Sequence, residues 1–258
     1  MNKILNPAAW GRALRRPLVL TGLAVDLFPI YGVIAFGWNA VPLVMLYWME
    51  NIIAGLMTLP RIFLAGASFG FRGVIAGLFF CGFFFIHYGL FCAVHGSFLI
   101  AFIGFGEGAL DEVLPAVMDV PAMFAFGLRA GAHIDWFVFS IFAFQLMVFV
   151  FIFVLRREWK NTTPAAEMRA PYGRIVVLHF GIFAGAAALF ILGQPLIGVL
   201  ALIVFRSLFG IITNGSYEFG FDNQLSLRLE GAKGREIFEQ ALQGRGGADR
   251  DDSGSPRS

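Results

Sequence analysis

The sequence predicts an all-α membrane protein, a polytopic bundle of about six transmembrane helices with both termini in the cytoplasm. Of its 258 residues, 58% are hydrophobic and only 14% are charged, whereas a soluble domain usually carries about 25% charged residues. Its 31 phenylalanines lie mostly in apolar runs that exceed the roughly 18 residues typical of a membrane-spanning helix. The runs lack the alternating pattern of a membrane β-barrel, so helices are the expected spanning elements.

Apolar runs of about 20 residues locate the predicted spans. The third run is about 31 residues long, more than a straight crossing needs, so this helix must tilt, kink or project beyond the bilayer. In chain order, the spans are expected near Pro17–Phe36, Val41–Phe63, Gly73–Ile103, Ile134–Leu155, Arg174–Leu192 and Pro195–Asn214.

The orientation follows from the basic residues, which concentrate in alternate connections. The first-to-second and fifth-to-sixth connections have no basic residue, and the third-to-fourth connection is mainly acidic. Because basic loops remain in the cytoplasm, six spans place every basic connection and both termini on that side. The basic residues are Lys3, Arg12, Arg15 and Arg16, then Arg61 and Arg72, then Arg156, Arg157, Lys160, Arg169 and Arg174.

Three regions are predicted along the chain. Residues 1–16 form an interfacial N-terminal segment, residues 17–214 the helical bundle, and residues 215–258 a polar, partly disordered cytoplasmic tail with a helix around Arg235–Leu242. The expected location is a cell membrane, as a multi-pass protein of a prokaryotic inner or plasma membrane.

The remaining composition excludes some partners and leaves others open. The net charge is +2, and no basic patch with interleaved aromatics indicates nucleic acid. Cys81 and Cys92 lie eleven residues apart, about 16 Å along a helix, and cannot form a disulfide with each other. The lipid bilayer is the predicted partner, whereas a protein partner and the oligomeric state are not indicated.

An unusual segment, YWMEN, places a carboxylate and an amide inside the second predicted span. An ionisable residue at mid-membrane costs roughly 2.5–3.5 kcal/mol on insertion scales, and usually faces protein or water. With helical spacing, the polar and small residues share one face that can pack against another helix. This face comprises Tyr47, Glu50, Asn51, Ala54, Gly55 and Thr58.

The third span, with GFFFIHYGLFCAVHG, offers the expected partners for Glu50. Gly82, Gly89 and Gly96 recur every seven residues and predict a groove for close helix approach. His87 and His95 lie on either side of this groove, about 80° apart around the axis and roughly 12 Å apart along it. We therefore expect an intramembrane polar or metal site formed by Glu50, Asn51, His87 and His95.

Further polar residues in the spans are secondary candidates. Asp26 and Arg206 are predicted at similar depths, and an ion pair would neutralise the cost of burying each charge. His179 is expected near the cytoplasmic end of the fifth span, too low for the Glu50 site unless a helix bends. The other secondary candidates are Tyr47, Trp48, Tyr88 and Cys92, of which Cys92 could share a zinc or copper ion with His95.

The segments WNAVPLVMLYWMENIIAGL and FFFIHYGLFCAVHG resemble a family of prokaryotic integral membrane proteins of unknown function, which has YW-x-EN and HYG…HG segments. The resemblance covers about the first 105 residues. It implies an integral membrane protein and points to Trp48, Glu50, Asn51, His87 and His95. It implies no activity, substrate or cofactor.

Three hypotheses about function follow. The polar site could bind a transition metal (zinc, iron or copper) or haem, or perform chemistry within the bilayer. It could instead belong to a small proton-coupled transporter, or the polar faces could hold together a non-catalytic packing or partner-binding subunit. No HExxH, GxSxG or CxxC motif indicates an enzyme class, so the sequence leaves enzymatic activity open.

Overall fold

A computed structural model describes residues 17–107, 111, 114–172 and 234–242, and this part of the chain is helical with no β-strand. Short 3₁₀ turns cover Leu114–Ala116 and Glu158–Lys160, and one helix ends in a π-helical turn at Phe149–Val154. In chain order, the helices are α1 Pro17–Phe36, α2 Ala40–Ala67, α3 Gly70–Glu107, α4 Val120–Arg129, α5 Ile134–Val148, α6 Pro164–Arg169 and α7 at 234–242.

The described helices match the first four predicted spans. Helix α1 has the bounds predicted for the first span. Three helices in the described part are long and apolar enough to cross a membrane, and these confirm the second, third and fourth predictions. They are Ala40–Ala67, Gly70–Gly104 and Ile134–Val154. The fifth and sixth predicted spans, the N-terminal segment 1–16 and the tail other than α7 lie outside the described residues.

Three helices begin at a residue whose side chain accepts a hydrogen bond from the first turn. Asn39 Oδ1 accepts from Val41 N at 2.9 Å, and Asp119 Oδ1 accepts from Ala122 N at 2.9 Å. At the start of α6, Thr163 Oγ1 accepts from Ala166 N at 3.2 Å. These caps satisfy backbone N–H groups that lack a partner within the helix, so local sequence sets these helix starts.

Helices α2 and α3 form an antiparallel hairpin, and α2 packs more extensively against α3 than against any other described helix. Near the turn their backbones approach closely, since a Cβ added at Gly66 would lie 2.8 Å from Gly77 Cα. Helix α3 is continuous over 38 residues, or about 57 Å, against a hydrocarbon core of about 30 Å. This confirms that the third span is longer than a straight crossing.

Two buried clusters hold the described helices together. The first surrounds α2 and includes residues of α3, α4 and α5, among them Leu46, Trp48, Ile100, Met123 and Phe137. The second lies in a groove between α2 and α3, which we call the α6 groove, where Met168 and Tyr172 pack against Ile62, Phe84, Tyr88 and Cys92. Much of the rest of α3 exposes large apolar side chains, as expected for a helix in contact with hydrocarbon or other apolar helices.

Helix α7 lies at the end of the bundle that contains the turn between α2 and α3. The Phe238 ring packs edge-on against Phe69 in that turn, with centroids 4.9 Å apart. Arg235 reaches both Ser68 in the same turn and the Lys160 carbonyl, which belongs to the α5–α6 connection. The two connections and α7 therefore share one end of the bundle.

Candidate functional site

The first contact between α2 and α3 in the buried interface is made by Trp48. This side chain is 0% exposed, and its Nε1–H donates to the backbone oxygen of Cys92 at 2.8 Å. The indole lies directly over Gly96, where an added Cβ would be 2.7 Å from ring atoms. Glycine at position 96 thus leaves the space that the indole occupies.

The second contact runs in the opposite direction, from α3 to α2. Tyr88 Oη donates to the backbone oxygen of Asn51 at 3.0 Å, and its ring lies over Gly55, where an added Cβ would be 2.5 Å from the ring. In both contacts the accepting carbonyl precedes the glycine by four residues. A helical carbonyl keeps a second lone pair beside its bond to residue i+4, and a glycine there leaves that lone pair open to a neighbouring helix.

These two bonds set the register of the hairpin and with it the level of Glu50. Along the axis, Glu50 lies beside the part of α3 between Tyr88 and Cys92, within about two turns of both His87 and His95. Glu50 is 5% exposed, so it is buried in protein and does not face lipid.

Glu50 occupies a different side of α2 from the residues that contact α3. It lies about 100° around the helix from Asn51 and about 160° from Trp48. Arg61, eleven residues later, points in almost the same direction as Glu50 and lies beside Glu167 of α6. By helical spacing, Glu50 and Arg61 therefore share one side of α2 and lie about 16 Å apart along its axis.

The two histidines of α3 are in contrasting environments. His95 is 7% exposed, stacks on Phe91, and its Nδ1 lies 2.8 Å from the Phe91 carbonyl oxygen, to which it donates. His87 lies on an exposed side of α3, where its Nδ1 shares a 2.7 Å hydrogen bond with Tyr172 Oη and its ring stacks on Phe83. His87 is thus exposed, whereas Glu50 and His95 are buried.

Asn51 contributes a buried hydrogen-bond acceptor to this interface. Its Nδ2 donates to the Tyr47 carbonyl oxygen at 2.8 Å, which fixes the orientation of the amide, because the opposite orientation would place two oxygens together. The other amide atom, Oδ1, is buried and accepts no hydrogen bond from the described residues. The side chain is 5% exposed, so this acceptor is also shielded from bulk water.

Helix α6 and the residues that follow it occupy the α6 groove. Burial raises the pKa of the Glu167 carboxyl above its ordinary value of 4.5, while a hydrogen bond from Thr162 and the positive charge of Arg61 oppose this shift. Arg61 also lies over the Phe153 ring, with its Cζ 5.2 Å from the ring centroid. The Arg61 charge is therefore held between α5 and α6.

Gly96 packs against Trp48, but a Cβ at Gly82 or Gly89 would meet no atom of the described residues within 4 Å. The closest backbone contact involves Gly66, Gly73 and Gly77 instead. The seven-residue period does not mark the α2–α3 contact, because α2 packs against a different side of α3 over most of the length of the hairpin.

A metal centre has little support among the described residues, which contain no group of three or more His, Cys, Asp or Glu side chains able to hold an ion. Cys92 contributes its backbone oxygen to the interface, and His95 Nδ1 is bonded to Phe91. His179 and Arg206, as well as the side chain of Asp26, lie outside the described part, so the predicted ion pair stays a prediction.

Tyr172 was not anticipated from the sequence, although it contacts two residues that were. Its ring packs edge-on against Tyr88, and its hydroxyl bonds to His87. The available signal was an aromatic residue just before a predicted span, a position typical of interfacial anchors. That signal does not specify a partner on α3.

The apolar helices of spanning length and the buried polar interface between them define the class of protein, a helical membrane protein. Within that class, the chain belongs to the family of unknown function DUF6498, whose family model matches residues 8–226. The matched range includes the YW-x-EN and HYG…HG segments and extends well beyond the first 105 residues. No curated protein and no solved structure matches the chain.

Proposed function

We propose that this integral membrane protein binds either a small metal cation or a hydrogen-bond donor such as ammonium at an intramembrane site formed by Asn51 and Glu50, as the substrate or coupling site of a small carrier. The observation that supports the proposal is the Asn51 Oδ1 atom, a buried acceptor with no donor among the described residues. A buried polar atom left without a partner costs about 1–3 kcal/mol, so a bound donor would recover stability at this position.

The chemistry of the neighbouring residue supports the same class of ligand. Glu50 is the next residue along α2 and is also buried, so a carboxylate and an amide oxygen occupy the same level of a region of low polarity, about 100° apart around the helix. Oxygen atoms of this kind bind hard cations, ammonium groups and protons in preference to anions. His95 faces the same interface, and we include it as a neighbour of the site.

The proposed membrane orientation supports a carrier. The end of the bundle that contains α7 carries exposed basic residues, including Arg72, Arg156, Arg157, Lys160 and Arg169. We place this end in the cytoplasm and retain six spans with both termini on that side. Glu50 and Asn51 then lie between the two membrane surfaces, where a carrier binds its substrate.

The test is thermal unfolding of the purified full chain in nanodiscs with sodium, potassium, ammonium or choline chloride at equal ionic strength. We expect one of the small cations to raise Tm relative to choline, by an amount equivalent to about 2.7 kcal/mol at 100 times its Kd. Both Asn51→Leu and Glu50→Gln should abolish the difference. Asn161→Leu and Glu158→Gln, which change an exposed pair outside the bundle, are matched controls and should retain it.

Transport is tested with the same variants in liposomes that contain a pH-sensitive or cation-sensitive dye. We expect flux in the wild type that Glu50→Gln abolishes and Glu158→Gln leaves intact. A wild-type protein that shows neither cation-dependent stability nor flux, while Asn51→Leu is at least as stable, would contradict the proposal.

The alternative function is a packing or partner-binding membrane subunit. It is favoured by the two reciprocal contacts, which use Trp48, Tyr88, Gly55 and Gly96 to join α2 to α3 without any need for a ligand. This hypothesis explains the aromatic and glycine residues of both segments, but not the open acceptor on Asn51.

A further inference from the structure

Helix α7 is attached at its beginning through Arg235. The guanidinium donates to Ser68 Oγ at 3.1 Å and to the Lys160 carbonyl oxygen, and its Cζ lies 4.2 Å from the centroid of the Phe69 ring. One side chain thus connects α7 to the α2–α3 turn and to the α5–α6 connection. Arg235 also lies 3.7 Å from Glu239 one turn later in α7.

The end of α7 is attached by a separate contact. Arg72, in the first turn of α3, donates from Nη1 to the Leu242 carbonyl oxygen at 3.1 Å. A basic donor at the last carbonyls of a helix is favourable because those oxygens have no partner within the helix. With Phe238 packed on Phe69 between these two points, α7 is held along its whole length.

The Lys160 contact links α7 to the α6 groove. Lys160 precedes the first residue of α6 by four positions. Met168 in α6 and Tyr172 just after it pack in the groove against the same buried cluster as Cys81. The connection is short, so holding Lys160 against the α2–α3 turn restricts the position of α6. Cys81 and Cys92 are the two cysteines of the sequence. Cys92 belongs to this cluster, and Cys81 packs against it while its Sγ donates to the Leu59 carbonyl oxygen at 3.4 Å.

We propose that α7 is a strap that holds α6 in its groove, and that release of Arg235 lets α6 move away and uncovers Cys81. The device would allow the C-terminal region to control access to the groove between α2 and α3. The proposal rests on the described contacts of α7 and does not depend on the ligand proposed for Asn51 and Glu50.

The native cysteines provide the readout. The rate of alkylation by N-ethylmaleimide would be measured at Cys81 in a Cys92→Ala background, using the full chain in nanodiscs. We expect Arg235→Ala and Phe238→Ala to accelerate alkylation, Arg235→Ala by about tenfold, which corresponds to about 1.4 kcal/mol. Glu236→Ala, an exposed change on the same helix, is the matched control and should leave the rate unchanged.

A parallel measurement at Cys92 separates local release from general loosening. In a Cys81→Ala background, Cys92 remains buried by the α2–α3 interface as well as by the residues in the α6 groove. Arg235→Ala should therefore have little effect on the alkylation rate of Cys92. Equal acceleration at both cysteines would show that the whole interface had opened and would overturn the strap. An unchanged Cys81 rate in both Arg235→Ala and Phe238→Ala would also overturn it.

Discussion

The two contacts that join α2 to α3 use the same chemistry in different surroundings. In each, an aromatic N–H or O–H donates to a helical carbonyl and the ring covers the glycine four residues later. Trp48 is enclosed by the first cluster, whereas Tyr88 borders the α6 groove and touches Tyr172. One contact is therefore enclosed inside the bundle, and the other adjoins residues of the α6 groove, which the short connection through Lys160 joins to α5.

This difference separates residues that hold the bundle together from residues that can respond to a ligand or a movement. Trp48 has a bonded N–H and close packing on every side, which gives it a structural role. Asn51 lies on the same face, yet its Oδ1 has no donor among the described residues. The Asn51–Tyr88 side of the interface therefore combines an open acceptor with an aromatic ring that Tyr172 contacts.

The largest effect is expected from Trp48→Ala. Removing a fully buried indole leaves a cavity and costs about 3–5 kcal/mol, and it also removes the N–H donor to Cys92. Reversible unfolding in mixed detergent would measure the loss. Trp136→Ala is the control, because that side chain is 69% exposed. If Trp136→Ala lowered the free energy of unfolding as much as Trp48→Ala, burial of the Trp48 indole would not be the cause of the effect.

An intermediate effect is expected when a methyl group is added to the glycine beneath the indole. Gly96→Ala places its Cβ 2.7 Å from Trp48, so either the ring or the helix must shift at a cost of about 1–3 kcal/mol. Gly89→Ala, one heptad earlier on α3, meets open space and should be neutral or stabilising by up to about 1 kcal/mol. Equal costs for the two alanine variants, measured by the same unfolding assay, would contradict the proposed fit between Trp48 and Gly96.

The smallest effect is expected from Tyr88→Phe, which keeps the ring over Gly55 and removes only the hydroxyl donor. Hydrogen bonds between membrane helices contribute about 0.6 kcal/mol on average, and the Asn51 carbonyl retains its bond within α2. The variant should also increase alkylation at Cys81 slightly if this side of the interface is the mobile one. A destabilisation as large as that of Trp48→Ala would reverse the comparison between the two contacts.

Much of the fold and part of the site could be predicted from the sequence. The second, third and fourth predicted helices, the excess length of the third and the burial of Glu50 and Asn51 follow from apolar run length and from the cost of exposing a carboxylate to lipid. The pairing of Glu50 with His87 stays a prediction, because depth in the membrane does not fix the direction in which a side chain points. His87 is level with the site but turns toward Tyr172.

The sequence by itself determined that the chain forms apolar helices and that the carboxylate and amide of the YWMEN segment are buried in protein, because hydrocarbon offers no hydrogen bonds. Only the tertiary structure decided which of those polar residues meet. The partners of Trp48 and Tyr88 are backbone carbonyls, which every residue has, so no pattern of side chains could identify them. The attachment of α7 through Arg235 likewise depends on three segments, far apart in sequence, that meet only when the helices pack.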